Sequence, residues 1–511
     1  MKKIAKLLFS RVFWVAIAIL VEIIWVIIGV LWLRGISPYV NLAMGVITLL
    51  MVLWIVNKKI NPSYKLAWTI LILAIPIFGM VIYFLFGKSR GAKQMEIKFE
   101  QVSLSANKRM PESEEVRKKL DEEDIIISNQ SKYIRDYAMF PVYSNTSSKY
   151  FPSGEMMFEN IMEDIKKAEH YIFLEYFIIA KGVMWDTLLD VLEEKAALGV
   201  DVRLIYDDMG CITTLPRHFY KELQKKGIKC ACFNPFRPVA NIILNNRDHR
   251  KIIVIDGYIG YTGGVNIADE YINRIERFGY WKDTGVRCQG DAVLSFTTMF
   301  LQMWEVITGI HEHIQNFLPG EHSEEIMDQD GFVQPYSDTP LDHETVGENV
   351  YLNIINNAKR YVYIFTPYLI IDNEMMTALC LASKRGVDIR IVTPAIPDKK
   401  TVFLLTQSYY EELILSGVRV YEYTPGFIHA KCTVCDDEIA TVGTINMDYR
   451  SLYLHFECGT WLYKTSSVME VKRDALDTIE HSKPVPLSFC QNRNLVVRAL
   501  QSIMRLLAPM L

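Results

Sequence analysis

The 511 residues are half apolar and carry a formal net charge of −4. A chain of this length builds two or three domains, each with its own core. The slightly acidic balance excludes the broad basic surface by which proteins hold nucleic acid, so no nucleic-acid partner is expected. The nine cysteines are odd in number and scattered. The close pairs Cys230/Cys232 and Cys432/Cys435 lack a second Cys or His pair at zinc spacing, so they are read as structural. Neither a metal nor another cofactor is expected.

In chain order, three apolar runs come first: Val12–Leu33, broken only by Glu22, then Val40–Val56 and Leu66–Phe86. Roughly 20 apolar residues cross a hydrocarbon core as a helix; the first and third runs reach that length and the second is at its short end. Trp32, Tyr39, Trp54, Tyr64, Trp68 and Tyr83 lie near run ends, as interfacial aromatic residues do. Lys2, Lys3, Lys6 and Arg11 would suit a signal peptide, but no small-residue cleavage site follows and further apolar runs do. Residues 1–90 are therefore expected to be a transmembrane anchor of two to three helices, giving a multi-pass protein of the cell membrane. Residues 91–132, with the mixed-sign run Glu112–Asp124, read as a charged linker or solvated helix.

Strands and helices then alternate. Tyr171–Ile179 reads as a buried strand, Val183–Ala197 as an amphipathic helix and Val200–Tyr206 as a second strand. These units recur. YIFLEYFII at Tyr171–Ile179 is answered by YVYIFTPYLII at Tyr361–Ile371, KAALGVDVRL at Lys195–Leu204 by ASKRGVDIRI at Ala382–Ile391, and KELQKKGIK at Lys221–Lys229 by EELILSGVR at Glu411–Arg419. An internal repeat of about 190 residues implies an α/β protein of two similar halves, 133–335 and 336–480. The tail, 481–511, is amphipathic, with Val496, Leu500, Ile503 and Leu507 on one side and Arg498 and Arg505 on the other. It fits either the lipid interface or docking onto the halves.

Each half carries one polar constellation: His249, Lys251 and Asp256 in HRKIIVID, and His429, Lys431 and Asp436 in HAKCTVCD. On a strand, residues i and i+2 share a face, so each His and its Lys are expected to project together. Each Asp comes at the strand's far end, where a turn is expected. Ten residues on stands an amide, Asn266 in GGVN and Asn446 in GTIN. Two His, two Lys and two Asn meeting across a pseudo-twofold axis would hold one phosphodiester. One imidazole attacks phosphorus while the other moves the proton, and neither task needs a metal.

The doubled H-x-K-x4-D resembles the signature of the phospholipase D superfamily. Nearly end to end the chain is similar to the bacterial cardiolipin synthases within it, through Asn61–Gly87, Thr366–Tyr368 (TPY), Gly426–Lys431 (GFIHAK) and Asn446–Ser451 (NMDYRS). The resemblance implies two phospholipase D-like α/β repeats and transfer of a phosphatidyl group from one phosphatidylglycerol to another. Cardiolipin and glycerol would form through a phosphohistidine. It makes His249 the nucleophile and His429 the general acid, with the reverse order open. Lys251, Lys431, Asn266 and Asn446 would bind phosphate, and Asp256 and Asp436 would orient their halves. Glu457, in LHFE, is placed with the substrate-binding residues and matches the family's acidic support of a catalytic histidine, with Asp283 as its first-half counterpart. His455 stands where the family usually has Asn. Hydrolysis, or transfer to another alcohol, stays open, as does a homo-oligomer; phospholipid and membrane are the expected partners.

Overall fold

The computed structural model describes residues 24, 38–86, 90–107, 110–235, 246–318, 331–342 and 344–510. Apart from Ile24, the run Val12–Leu33 lies outside them. The second run forms helix α1 (Pro38–Val56). The third does not form one span. Ile75 and Pro76 divide it into α2 (Pro62–Ala74) and α3 (Pro76–Phe86), because proline cannot donate in the helix interior and clashes with the preceding turn. The two pieces pack so closely that a Cβ on Gly79 would lie 2.7 Å from the Ile72 Cα. Among the described residues no helix is long and apolar enough to cross a membrane. Asn61 caps α2, accepting from the Ser63 N–H, and its amide donates to Asp372 and Tyr453, which ties the helices to the second half.

Of the two readings of the charged segment, linker or solvated helix, the described residues form helices, and these also bury apolar residues. Helix α4 (Arg90–Asn107) buries Phe99 and Val102, and two further helices, Glu114–Glu123 and Ile125–Tyr133, follow it.

The first half contributes strands β1 (Thr146–Phe151), β2 (Tyr171–Tyr176), β3 (Asp201–Asp207), β4 (Lys229–Phe233), β5 (Ile252–Ile255), β6 (Ile259–Gly263) and β7 (Gly285–Gly290). The second contributes β8 (Phe332–Asp338), β9 (Tyr361–Phe365), β10 (Asp388–Pro394), β11 (Arg419–Tyr423), β12 (Cys432–Cys435), β13 (Ile439–Gly443) and β14 (His455–Tyr463). The first sheet runs β1-β7-β6-β5-β2-β3-β4 and the second runs β8-β14-β13-β12-β9-β10-β11, the same order with each strand replaced by its counterpart. In each, a parallel trio joins an antiparallel hairpin. β2 and β9 are buried along their whole length, as strands covered on both faces must be.

The expected boundary at 335/336 falls inside β8, which pairs along its length with β14 and belongs wholly to the second half. Ser482–Pro484 adds an edge strand to β11, so the second half also extends past residue 480.

A helix follows the last strand of each half and reaches the other. Helix α5 (Val293–Thr308) is apolar almost all round, lies on the first sheet and touches β8. Helix α6 (Ser466–Glu480) lies on the second sheet and meets β1, where the Tyr150 hydroxyl donates to Asp474 at 2.6 Å. The exchange is what a pseudo-twofold relation produces. Helix α7 (Leu495–Leu507) docks by its polar side: Arg498 and Arg505 approach Glu411 and Glu412, and the Gln501 amide donates to the Leu404 carbonyl. Its apolar residues Leu495, Val496, Leu500 and Ile503 face outward.

Candidate active site

The two His-Lys pairs do not lie within strands. They occupy the extended approach to β5 and to β12. What places them is a pair of short parallel strands that cross between the halves. Arg247 and Asp248 pair with His455 and Phe456 at the start of β14, which sets His249 opposite Glu457. Gly426–Ile428 pairs with Tyr280–Lys282, which sets His429 opposite Asp283. The backbone continues the match: the His249 N–H donates to the Phe456 carbonyl at 2.9 Å and the His429 N–H to the Lys282 carbonyl at 2.7 Å.

Each imidazole is therefore held by a carboxylate from the opposite half. His249 Nδ1 lies 2.8 and 3.0 Å from the two Glu457 oxygens. His429 Nδ1 lies 2.7 Å from Asp283 Oδ2. With Nδ1 committed, Nε2 is the nitrogen left for chemistry. Aromatic rings wall each histidine, Phe177 4.9 Å from His249, and Tyr271 and Trp281 5.5 and 5.4 Å from His429 between centroids. Glu457 is thus a support of His249, and it also accepts from the Thr444 hydroxyl.

The lysines are drawn in beside the histidines. Lys251 Nζ donates to the His249 carbonyl at 2.6 Å, and Lys431 Nζ lies 2.9 Å from His429 Nδ1. Burial, reinforced by Lys251, holds His249 well below the usual imidazole range. Burial and then Lys431 lower His429 to about 4, although Asp283 opposes the shift. Burial pulls Lys251 down to about 8, and burial together with the Lys251 charge pulls Lys431 to about 7, both against the attraction of neighbouring carboxylates. Four buried bases whose charged forms are disfavoured make a setting in which a bound anion restores protonation.

The remaining sequence-derived residues are placed differently. Asp256 and Asp436 stand at the far ends of β5 and β12, roughly 20 Å of strand from their histidines at about 3.3 Å per residue. Asp256 accepts from the backbone N–H groups of Glu169, His170 and Tyr171, each at 2.8 Å. Asp436 does the same for Lys359, Arg360 and Tyr361. Both have positive φ, 51° and 55°, in the left-handed turn that Asp tolerates. These carboxylates staple the loop that enters β2 or β9; they do not reach the histidines. Asn266 uses both ends of its amide internally, accepting from the Ile178 N–H and donating to the Tyr271 hydroxyl. Asn446 donates to the Ser451 hydroxyl, while its carbonyl oxygen is buried without a partner.

Sequence reasoning missed Thr444, Tyr271, Phe177 and Trp281, none of which carries a local motif. Gly264, in GGVN, has a definite steric task. A Cβ there would lie 1.9 Å from Asp283 Oδ1 and 3.0 Å from the His429 carbonyl.

The sequence matches the family described as cardiolipin synthase, phospholipase D-like domain, over residues 161–304 and 351–477, more than half of the chain. The chain belongs to this family. Residues 46–88 match a second description, phospholipase D-nuclease N-terminal. An uncharacterised protein of Streptococcus mutans is 44% identical over 90% of this chain and 99% of its own length. Cardiolipin synthase of Geobacillus thermodenitrificans is 35% identical over 96% of this chain and 99% of its own. That of Alkalihalophilus pseudofirmus is 34% identical over 94% and 95%. The crystal structure of phosphatidylserine synthase from Haemophilus influenzae superposes with a TM-score of 0.54 at 15% identity, covering 75% of this chain and 98% of the other. It shares the fold.

Proposed function

We propose that the protein is a phosphatidyltransferase that makes cardiolipin from two phosphatidylglycerols, with His249 as nucleophile and His429 as acid and base. The observation that carries this reading is the crossed support, Glu457 behind His249 and Asp283 behind His429. It leaves one Nε2 from each half for a single phosphorus.

In the first step His249 Nε2 attacks phosphorus, and the bond to the glycerol headgroup oxygen breaks as His429 protonates that oxygen. Glycerol leaves and the phosphatidyl group stays on His249. In the second step the terminal hydroxyl of another phosphatidylglycerol gives its proton to His429 and attacks phosphorus, which frees His249 and completes cardiolipin. Burial keeps the resting imidazoles neutral, as a nucleophile requires. The bound phosphodiester, with Asp283, favours the protonated form of His429. Lys251 and Lys431 regain full charge against the non-bridging oxygens, where the transition state gathers negative charge. Proton transfer by a placed imidazole contributes on the order of 10² to 10⁴ in rate.

The reading includes a membrane. Helix α7 packs beside α2, and its outward apolar residues are exposed together with Leu66 and Leu73 of α2 and Leu42, Val46, Leu49 and Leu53 of α1. Together with the N-terminal run, this apolar face suits contact with a bilayer, where the lipid substrates reside.

Incubating purified protein with phosphatidylglycerol and separating the lipids tests the reading. Cardiolipin and free glycerol are expected, and none from His249→Ala. Phosphatidic acid alone would make the enzyme a hydrolase and overturn the transferase assignment.

A further inference from the structure

His455 is the one described imidazole with both ring nitrogens buried and without a hydrogen-bond partner. It is 9% exposed, and its ring centroid lies 5.4 Å from that of His249. A buried polar atom left unpaired costs about 1–3 kcal/mol, and the nearest carboxylate, Glu457, stands at ion-pair distance instead of hydrogen-bond distance, so His455 and Glu457 have room for a shared ligand. His455 Nδ1 lies 3.7 Å from Glu457 Oε1, and the same oxygen lies 2.8 Å from His249 Nδ1. One donor atom from each of His249, His455 and Glu457 falls within 4.8 Å of the other two.

We propose that His249, His455 and Glu457 form a capture site for a divalent transition cation of the zinc class, and that its occupation switches the enzyme off. Two imidazoles and one carboxylate are a donor set that zinc favours, with the fourth position open to water. Zinc–nitrogen bonds of about 2.0–2.1 Å in tetrahedral geometry place donor atoms about 3.3 Å apart. The 2.8 and 3.7 Å separations bracket that spacing. The proton shared between His249 and Glu457 passes to solvent as the metal enters. Coordination through Nε2 blocks attack outright; coordination through Nδ1 removes the Glu457 support and withdraws electron density from the ring. Lys251, on the His249 carbonyl, opposes a dication. That makes the site one of reversible capture, not a home for a resident cofactor. A second imidazole pair, His311 and His313, has ring centroids 5.1 Å apart on the surface, but His311 is already paired with Glu305.

Zinc binding itself does not depend on the proposed lipid chemistry; only the inhibition rests on it. Full-length protein in detergent, stripped with a chelator, is titrated with zinc chloride by calorimetry, and cobalt(II) absorption reports the donor set. One zinc per chain is expected to bind. Cardiolipin formation should fall as zinc is added and return with excess chelator. His455→Asn, and independently His455→Gln, should weaken zinc binding by at least about tenfold. Inhibition, scored against each variant's own zinc-free rate, should shift equally. The double variant His311→Ala/His313→Ala should bind and respond like wild type. The proposal is overturned if wild type binds no zinc, if both His455 variants bind it unchanged, or if the surface double variant abolishes it. Protein that binds zinc as expected but makes no cardiolipin would sink the functional reading alone.

Discussion

Glu457→Gln keeps the size and hydrogen-bonding reach of the side chain that holds His249, but removes its charge. The imidazole would then lose both its fixed tautomer and the counter-ion for the cation that forms as the phosphatidyl group arrives. Disabling the carboxylate behind a catalytic histidine costs about 10² to 10⁴ in kcat. The expected outcome is a loss of that order with KM nearly unchanged, read from initial rates of cardiolipin formation. Lys431 makes a second prediction. Its folded pKa is about 7, against an unfolded value near 10.5. Between those values the unfolded chain binds the extra proton, so the stability of the protein rises with pH across that window. Urea titrations at pH 7 and pH 9.5 should show a larger gain for wild type than for Lys431→Met. Inorganic phosphate should narrow the difference by stabilising the charged lysine.

At the scale of elements, Asp256 closes the turn after β5 by taking three backbone N–H groups at the entrance to β2. Hydrogen bonds to a charged group contribute about 1.5–3 kcal/mol each, and they are not additive. Asp256→Ala should therefore destabilise the fold by about 3–5 kcal/mol in urea. Material that remains folded should keep its kcat, since the carboxylate is remote from His249. Helix α7 docks through Arg498, Arg505 and Gln501 and turns its leucines outward. Replacing Leu495, Val496, Leu500 and Ile503 together by Ser should weaken association with phosphatidylglycerol vesicles by tenfold or more, measured by flotation. Each removed apolar side chain forfeits up to about 1.5–3 kcal/mol of burial. Activity on substrate dispersed in detergent should survive. The H-x-K-x4-D spacing placed the far ends of β5 and β12 from sequence, because a short strand is a local object, but it began each strand at the histidine, three residues before pairing starts. The break in the third apolar run was also written there, as Pro76. For residues 90–133 the charge left helix and linker both open and concealed the packing: few residues there reach the core, and those that do, such as Phe99 and Val102, leave a weak pattern.

For the whole molecule, the repeat announced two α/β halves and two histidines, and the family resemblance pointed to Glu457 and Asp283. Composition and spacing do not reveal which carboxylate serves which histidine. That pairing is set by strands joining residues about 150 to 200 positions apart, and register at such range leaves no periodicity to read. The partners of Asn266, Ile178 and Tyr271, are likewise known only once the first half is folded. Gly264 shows the crossed design at work. Gly264→Ala changes the first half but pushes on Asp283 and so on His429. It should depress the proton-transfer role of His429, with a several-fold drop in kcat and a displaced pH–rate profile.

The exchange of carboxylates between the halves bears on how such a protein can change over generations. A copy that drifted alone would strand the reactive group of its sister, so the two must be inherited as a matched set. Severing the gene into separate cistrons would yield fragments inert until they met, each bringing the buttress its companion lacks.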